Sequence, residues 1–156
     1  MADITLYAAP MEGLTTYLWR QAHRTIFGGV DKYFTPFLSP NGNLAFQQKE
    51  LDEVTQGETD TVPQLLTNRG YYFVWAAREL QARGYGEVNF NLGCPSGTVT
   101  AKRKGSGLLA RREDLERLDG PEPEEGWLPY CYDFARRLLF PEKDARPPPG
   151  AGAVVF

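Results

Sequence analysis

Residues 87–97 read EVNFNLGCPSG. Glu87 to Leu92 has the character of a strand carrying two amide side chains, Asn89 and Asn91, and it runs straight into Gly93-Cys94-Pro95-Ser96-Gly97, a turn by composition. Working backwards, Phe73, Ala76, Ala77 and Leu80 stand at helical spacing. That helix is expected to be capped by Asn68, to carry Glu79 and Arg83 as an i, i+4 pair and to end at Gly84. Thr61 to Thr67 precedes it as a strand, and Phe46 to Val54 is a polar, weakly helical stretch. Val30 to Leu38 is a further strand, closed by Ser39-Pro40-Asn41-Gly42. At the start, Ile4 to Ala9 reads as a strand and Thr15-Thr16 as a cap. The helix that follows presents Leu18, Trp19, Ala22, His23 and Ile26 and is stopped by Gly28-Gly29. Strands alternating with helices predict an α/β chain built of βα units around a parallel sheet.

The 156 residues set a limit of one ordinary domain. With 17 Lys+Arg against 20 Asp+Glu the formal net charge is -3, so a nucleic-acid partner has to be met by a local basic patch. Lys102-Arg103-Lys104 is such a patch, followed by Gly105-Ser106-Gly107, read as a flexible turn, and by Arg111-Arg112. No apolar run approaches membrane-span length and no leader pattern opens the chain, which predicts a cytoplasmic protein without a membrane partner. Cys94 and Cys131 cannot build a disulfide framework, and no second ligand stands at metal spacing, so no metal is expected. With one histidine, His23, expected to pack or cap locally on its helix, and no Ser or Cys motif pointing to a partner base, a hydrolytic triad has almost nowhere to come from.

In parallel α/β folds, ligands sit beyond the carboxyl ends of the strands. Here those ends hold Ala9-Pro10-Met11-Glu12-Gly13, Gln64, and Asn89 and Asn91 with Cys94 just beyond. Flat apolar residues, amide side chains and close backbone approach suit a planar heteroaromatic ligand. A thiol facing it can give or take a proton.

Three stretches together, Ala9-Pro10-Met11-Glu12-Gly13-Leu14-Thr15, Val62-Pro63-Gln64-Leu65-Leu66 and the run from Asn89 to Val99, resemble the tRNA-dihydrouridine synthases, FMN-dependent TIM-barrel reductases. The resemblance spans about residues 4–118 and implies the N-terminal half of a (β/α)8 barrel, with about four parallel βα units. It also implies a reaction: hydride passes from reduced FMN to C6 of a tRNA uridine, a cysteine protonates C5, and NADPH regenerates the flavin. By the same resemblance Cys94 is the proton donor, and a cysteine thiol is mostly protonated at neutral pH. Asn91 meets the uracil edge, Gln64 the isoalloxazine, and Pro10 and Met11 lie against the flavin. Arg20 matches an arginine position to which no role is attached. With tRNA as the partner, Lys102, Arg103 and Lys104 are candidate phosphate contacts.

The resemblance stops near Leu118, before the strands that bring the family's lysine, histidine and phosphate loop to the flavin. The expected organisation is a partial FMN-binding barrel over 1–118, a linker over 119–127, a helix over 128–141 with Cys131 in its apolar face, and a disordered tail over 142–156. The tail has the texture of an internal deletion or a lost reading frame. Half a barrel exposes two sheet edges, so the chain is expected to dimerise, to stay only partly ordered or to aggregate; two copies could close a pseudo-barrel as a homodimer, with poor flavin affinity and activity impaired by truncation. Two other functions stay open: an FMN reductase of a free pyrimidine, and a non-catalytic half barrel that binds RNA or itself.

Overall fold

A computed structural model describes residues 5–56, 60–110, 113, 114 and 118. Along the chain it places β1 (Tyr7–Ala8), α1 (Tyr17–Ile26), β2 (Lys32–Leu38), α2 (Gln48–Thr55), β3 (Val62–Leu65), α3 (Gly70–Ala82), β4 (Asn89–Phe90), and two single turns of helix, α4 (Gly97–Thr100) and α5 (Ser106–Leu109). The strands pair in sequence order, β1-β2-β3-β4, and every pairing is parallel. This is an α/β half barrel, four strands curled with the helices outside. The expected linker, helix and tail over 119–156, Cys131 included, lie outside the described residues.

Two faces follow from the period of two along each strand. Tyr33, Leu38, Leu65 and Phe90 are buried toward the helices, while Tyr7, Phe34, Phe37, Gln64 and Asn89, on the concave side, are half-buried. The helix-side core joins Leu38, Leu65 and Phe90 to Phe73, Ala76, Ala77 and Leu80 of α3, with the Phe73 and Phe90 rings 5.0 Å apart. The buried face expected for α3 is the one observed, and Arg83 Nη1 meets Glu79 Oε2 at 2.6 Å. Its capping differs: Arg69 is the N-cap residue without a side-chain cap bond, and the Asn68 amide instead donates to Lys102 O at 3.0 Å.

Packing of α1 is opposite to its apolar pattern. Thr16 caps it, accepting from Trp19 N at 3.3 Å, and Gly28 and Gly29 stop it at positive φ, as expected. Yet the residue it buries is Arg20, 3% exposed, while Leu18 and Ile26 are 60% and 70% exposed. The physical reason is a guanidinium held by three acceptors. Arg20 donates to Thr15 O at 2.8 Å and Glu53 O at 3.0 Å, and pairs with Glu53 Oε1 at 3.4 Å, tying α1 to the end of α2. Glu53 also accepts from Tyr17 N. Burial lowers the Arg20 pKa from its ordinary value, against the opposing pull of Glu53. His23 packs locally, its Nδ1 2.9 Å from the Tyr33 hydroxyl, and Arg24 lies 4.6 Å over the Tyr33 ring. The β2-facing stripe is therefore aromatic and basic, and Leu18, Ala22 and Ile26 point away from it.

Within β2, Pro36 has no N–H to give a ladder, and the β2–β3 register shifts between Phe34 and Phe37. The fully buried Thr35 repairs the gap. Its hydroxyl donates to Pro36 O at 2.9 Å and accepts from Gln64 N at 3.3 Å, fixing the backbone of β3 at the residue where a site amide stands.

Candidate functional site

At the carboxyl ends of β3 and β4 three amides form a chain. Gln64 Nε2 donates to Asn89 Oδ1 at 2.8 Å, and Asn91 Nδ2 donates to Gln64 Oε1 at 2.8 Å. Asn91 Oδ1 then accepts from Gly93 N at 3.2 Å and Cys94 N at 3.0 Å, so the loop that bears the thiol is hung from the amide chain. An amide nitrogen carries two hydrogens. Gln64 and Asn91 therefore each keep one N–H for a ligand after these bonds are made.

The Cys94 loop is held equally from its other side. Ser106 donates to Cys94 O from both its backbone N and its Oγ, each at 3.1 Å. Gly105, at φ 55° and ψ -135°, lies so close that a Cβ there would fall 2.6 Å from Cys94 O and 3.1 Å from Cys94 Cβ. Gly105-Ser106-Gly107 is thus not the flexible turn its composition suggests, because Gly107 is also packed: a Cβ there would fall 2.8 Å from the Thr100 backbone. It is a packed clamp. Cys94 itself is half-buried and free of any disulfide.

Beside the amides lies a small cavity of about 20 Å³, lined by Tyr7, Ala9, Pro10, Phe34, Gln64 and Asn89. Ligand pockets run to roughly 300–1,000 Å³, so this is a floor against which one face or edge of a ring can rest. The Tyr7 and Phe34 rings meet edge to face at 5.9 Å, giving that floor a flat apolar wall. Pro10 lines the cavity. Met11 does not line the cavity: its side chain is exposed, and its backbone N and O are both engaged by Thr15 Oγ1, at 2.8 and 3.1 Å. Tyr7, Phe34 and Asn89 join the site from alternate strand positions, a signal present in the sequence once the strand phase is known.

The basic cluster divides. Lys102 and Arg103 are exposed, and Arg103 Nη1 lies 3.6 Å from Asp114 Oδ2. Lys104 turns inward, donating at 2.7 Å to Ser39 Oγ, which passes a bond to Leu66 O at 2.9 Å. Glu50 accepts from Ser39 N at 3.1 Å. Burial lowers the Lys104 pKa, with Lys102 acting the same way, and burial raises that of Glu50. Lys104 thereby ties the loop after Cys94 to the ends of β2 and β3.

Among the described residues no group of three or more His, Cys, Asp or Glu side chains could hold a metal ion, and no helix is long and apolar enough to cross a membrane. A family model described as dihydrouridine synthase (Dus) matches residues 7–118, and this span contains every residue of the site. No curated protein matches the chain.

Proposed function

The chain belongs to the dihydrouridine synthase family, and from that premise we propose that it reduces the C5–C6 double bond of uridines in tRNA, with Cys94 as proton donor. The observation that carries this reading is the suspension of Cys94 from Asn91, whose amide in turn bonds Gln64 at the edge of a cavity walled by Tyr7, Phe34 and Pro10. FMN, reduced by NADPH, supplies the hydride for uracil C6 when bound. The residues present fit the edge and face of its ring: Gln64 has an unspent amide N–H, and Pro10 and the Tyr7–Phe34 pair offer flat apolar contact. Met11 borders this surface from the same turn.

Asn91 directs its remaining N–H to a uracil carbonyl and holds the reacting base in one orientation. Cys94 gives its thiol proton to C5, so that the double bond gains one hydride and one proton, and the thiolate is reprotonated from water. Lys102 and Arg103 contact tRNA phosphates, which fix the position of the duplex arms and carry no sequence information. Incubation of an unmodified tRNA transcript with the protein, FMN and NADPH, followed by mass analysis of the nucleosides, tests the proposal. Dihydrouridine should form, and Cys94→Ala should slow it about 100-fold or more. Equal rates for both proteins would refute the role of Cys94, and product from free uracil but not tRNA would favour the small-molecule reductase.

Self-association is a second reading, favoured by the exposed Leu18–Ala22–Ile26 stripe of α1 and the half-buried concave face. Both lie where a second copy could cover them. Sedimentation should show a dimer that Leu18→Lys with Ile26→Lys dissociates; a wild-type monomer at all concentrations would dismiss it.

A further inference from the structure

The start of α3 carries a surface whose residues, Lys102 apart, the reaction leaves unused. Tyr71, in the first turn of α3, is 57% exposed, and its ring lies 6.1 Å from that of Tyr72 at 47°. The Arg69 guanidinium sits 5.5 Å from the centroid of the Tyr72 ring, and the Tyr72 hydroxyl lies over Gly42 in the turn that follows β2. Next to them stands the exposed Lys102, brought there because the Asn68 amide binds Lys102 O at 3.0 Å. No carboxylate pairs with Arg69 or Lys102 among the described residues. Two aromatic faces and two unneutralised cations therefore share one rim, on a chain whose net charge is -3.

We propose that Arg69, Tyr71, Tyr72 and Lys102 form a docking surface for unpaired RNA nucleotides flanking the reacting uridine. The inference rests on the tRNA reading above and goes beyond it by separating stacking from charge. Tyr71 leaves its ring open to solvent beside the half-buried Tyr72 that Arg69 already covers, and a base has a π face, whatever its identity, that can stack on it. Arg69, already over one ring, extends the platform as a planar cation, while Lys102 acts as a point charge toward a phosphate. The chemistry selected is single-stranded and polyanionic, with no preference among bases. The Lys102 loop continues in sequence into the Gly105–Ser106 clamp on Cys94, which links this surface to the thiol loop through the chain.

Fluorescence anisotropy with two labelled probes tests this, an unmodified tRNA transcript and a ten-nucleotide oligouridine, each at low and moderate salt. Tyr71→Ala should weaken both complexes about tenfold without altering the salt dependence, and Tyr71→Phe should bind as the wild type does. Arg69→Gln and Lys102→Gln should each lower the log–log salt slope by about one. Wild-type binding that Tyr71→Ala leaves within twofold would overturn the platform while the tRNA reading stands. A wild-type chain that binds neither probe would remove both, whereas Tyr71-dependent binding without dihydrouridine formation would keep the platform and remove the chemistry. Unchanged far-UV circular dichroism melts of the Tyr71 variants, at a solvent-facing position, show that binding and not folding is being read.

Discussion

Gly105 packs its α-carbon under the carbonyl of Cys94, so that a methyl group there would lie 2.6 Å from the Cys94 oxygen. Backbone opposes that methyl, and the φ of 55° with ψ -135° is a region that residues with a Cβ avoid. Gly105→Ala should therefore destabilise the protein by about 2–5 kcal/mol, combining backbone strain with overpacking, and should displace the thiol. Gly97, in the same loop with nothing within 4 Å of a Cβ, is the matched control. Thermal melts and Cys94 alkylation rates should change for Gly105→Ala and stay near wild type for Gly97→Ala. Identical behaviour of the two variants would show that the clamp is slack.

Arg20 holds α1 to α2 through two backbone carbonyls and the Glu53 carboxylate. Replacing it with Met keeps much of the volume and leaves all three acceptors without their donor. The expected loss is about 3 kcal/mol or more, which for a domain of this size lowers the melting midpoint by roughly 10 °C. A calorimetric midpoint within two or three degrees of wild type, as for typical surface changes (roughly ±0.5 kcal/mol), would contradict the anchoring role.

Glu50 supplies a pH signature. Burial raises its pKa above the ordinary 4.5, so the folded state binds this proton more tightly than the unfolded chain does. The associated stabilisation is complete below 4.5 and is lost as pH rises through the raised folded value. Wild type should gain stability relative to Glu50→Gln as the pH falls from neutrality toward that value, since the amide keeps an acceptor for Ser39 N but cannot titrate. Parallel curves of melting midpoint against pH for the two proteins would deny the effect.

Thr35 is a positioning residue at a distance from the cavity. Thr35→Val is nearly isosteric yet removes the acceptor of Gln64 N–H. It should cost about 1–3 kcal/mol, and, if Gln64 makes the proposed ring-edge contact, it should weaken flavin retention on desalting. Thr35→Ser, which restores the hydroxyl, should recover flavin binding more than stability; failure of this rescue would separate Thr35 from the site.

These residues also show where reading the chain succeeds. The buried face of α3, Phe73, Ala76, Ala77 and Leu80, is legible because a single apolar stripe at helical period has one sensible direction. The site amides are legible as residue types at strand ends, Gln64 and Asn91 above all. The direction of α1 is not, since nothing local reveals that Arg20 will meet Glu53, 33 residues on, and outcompete Leu18 and Ile26 for the interior. Thr35 escapes for a related reason: its value depends on Pro36 emptying a ladder position that only the neighbouring strand can feel. Likewise the glycines after Lys104 look like slack until Cys94 and Thr100 are seen against them.

The sheet's order, each strand beside the one translated just before it, makes assembly vectorial. Among the described strands, every pairing is available once the next βα unit has left the ribosome, and none waits for a distant partner. Growth by accretion at one edge means that β4, with its amides and the thiol loop behind it, is the last of the described strands to be laid down. Maturation of the site during synthesis therefore reports that every earlier layer is in place.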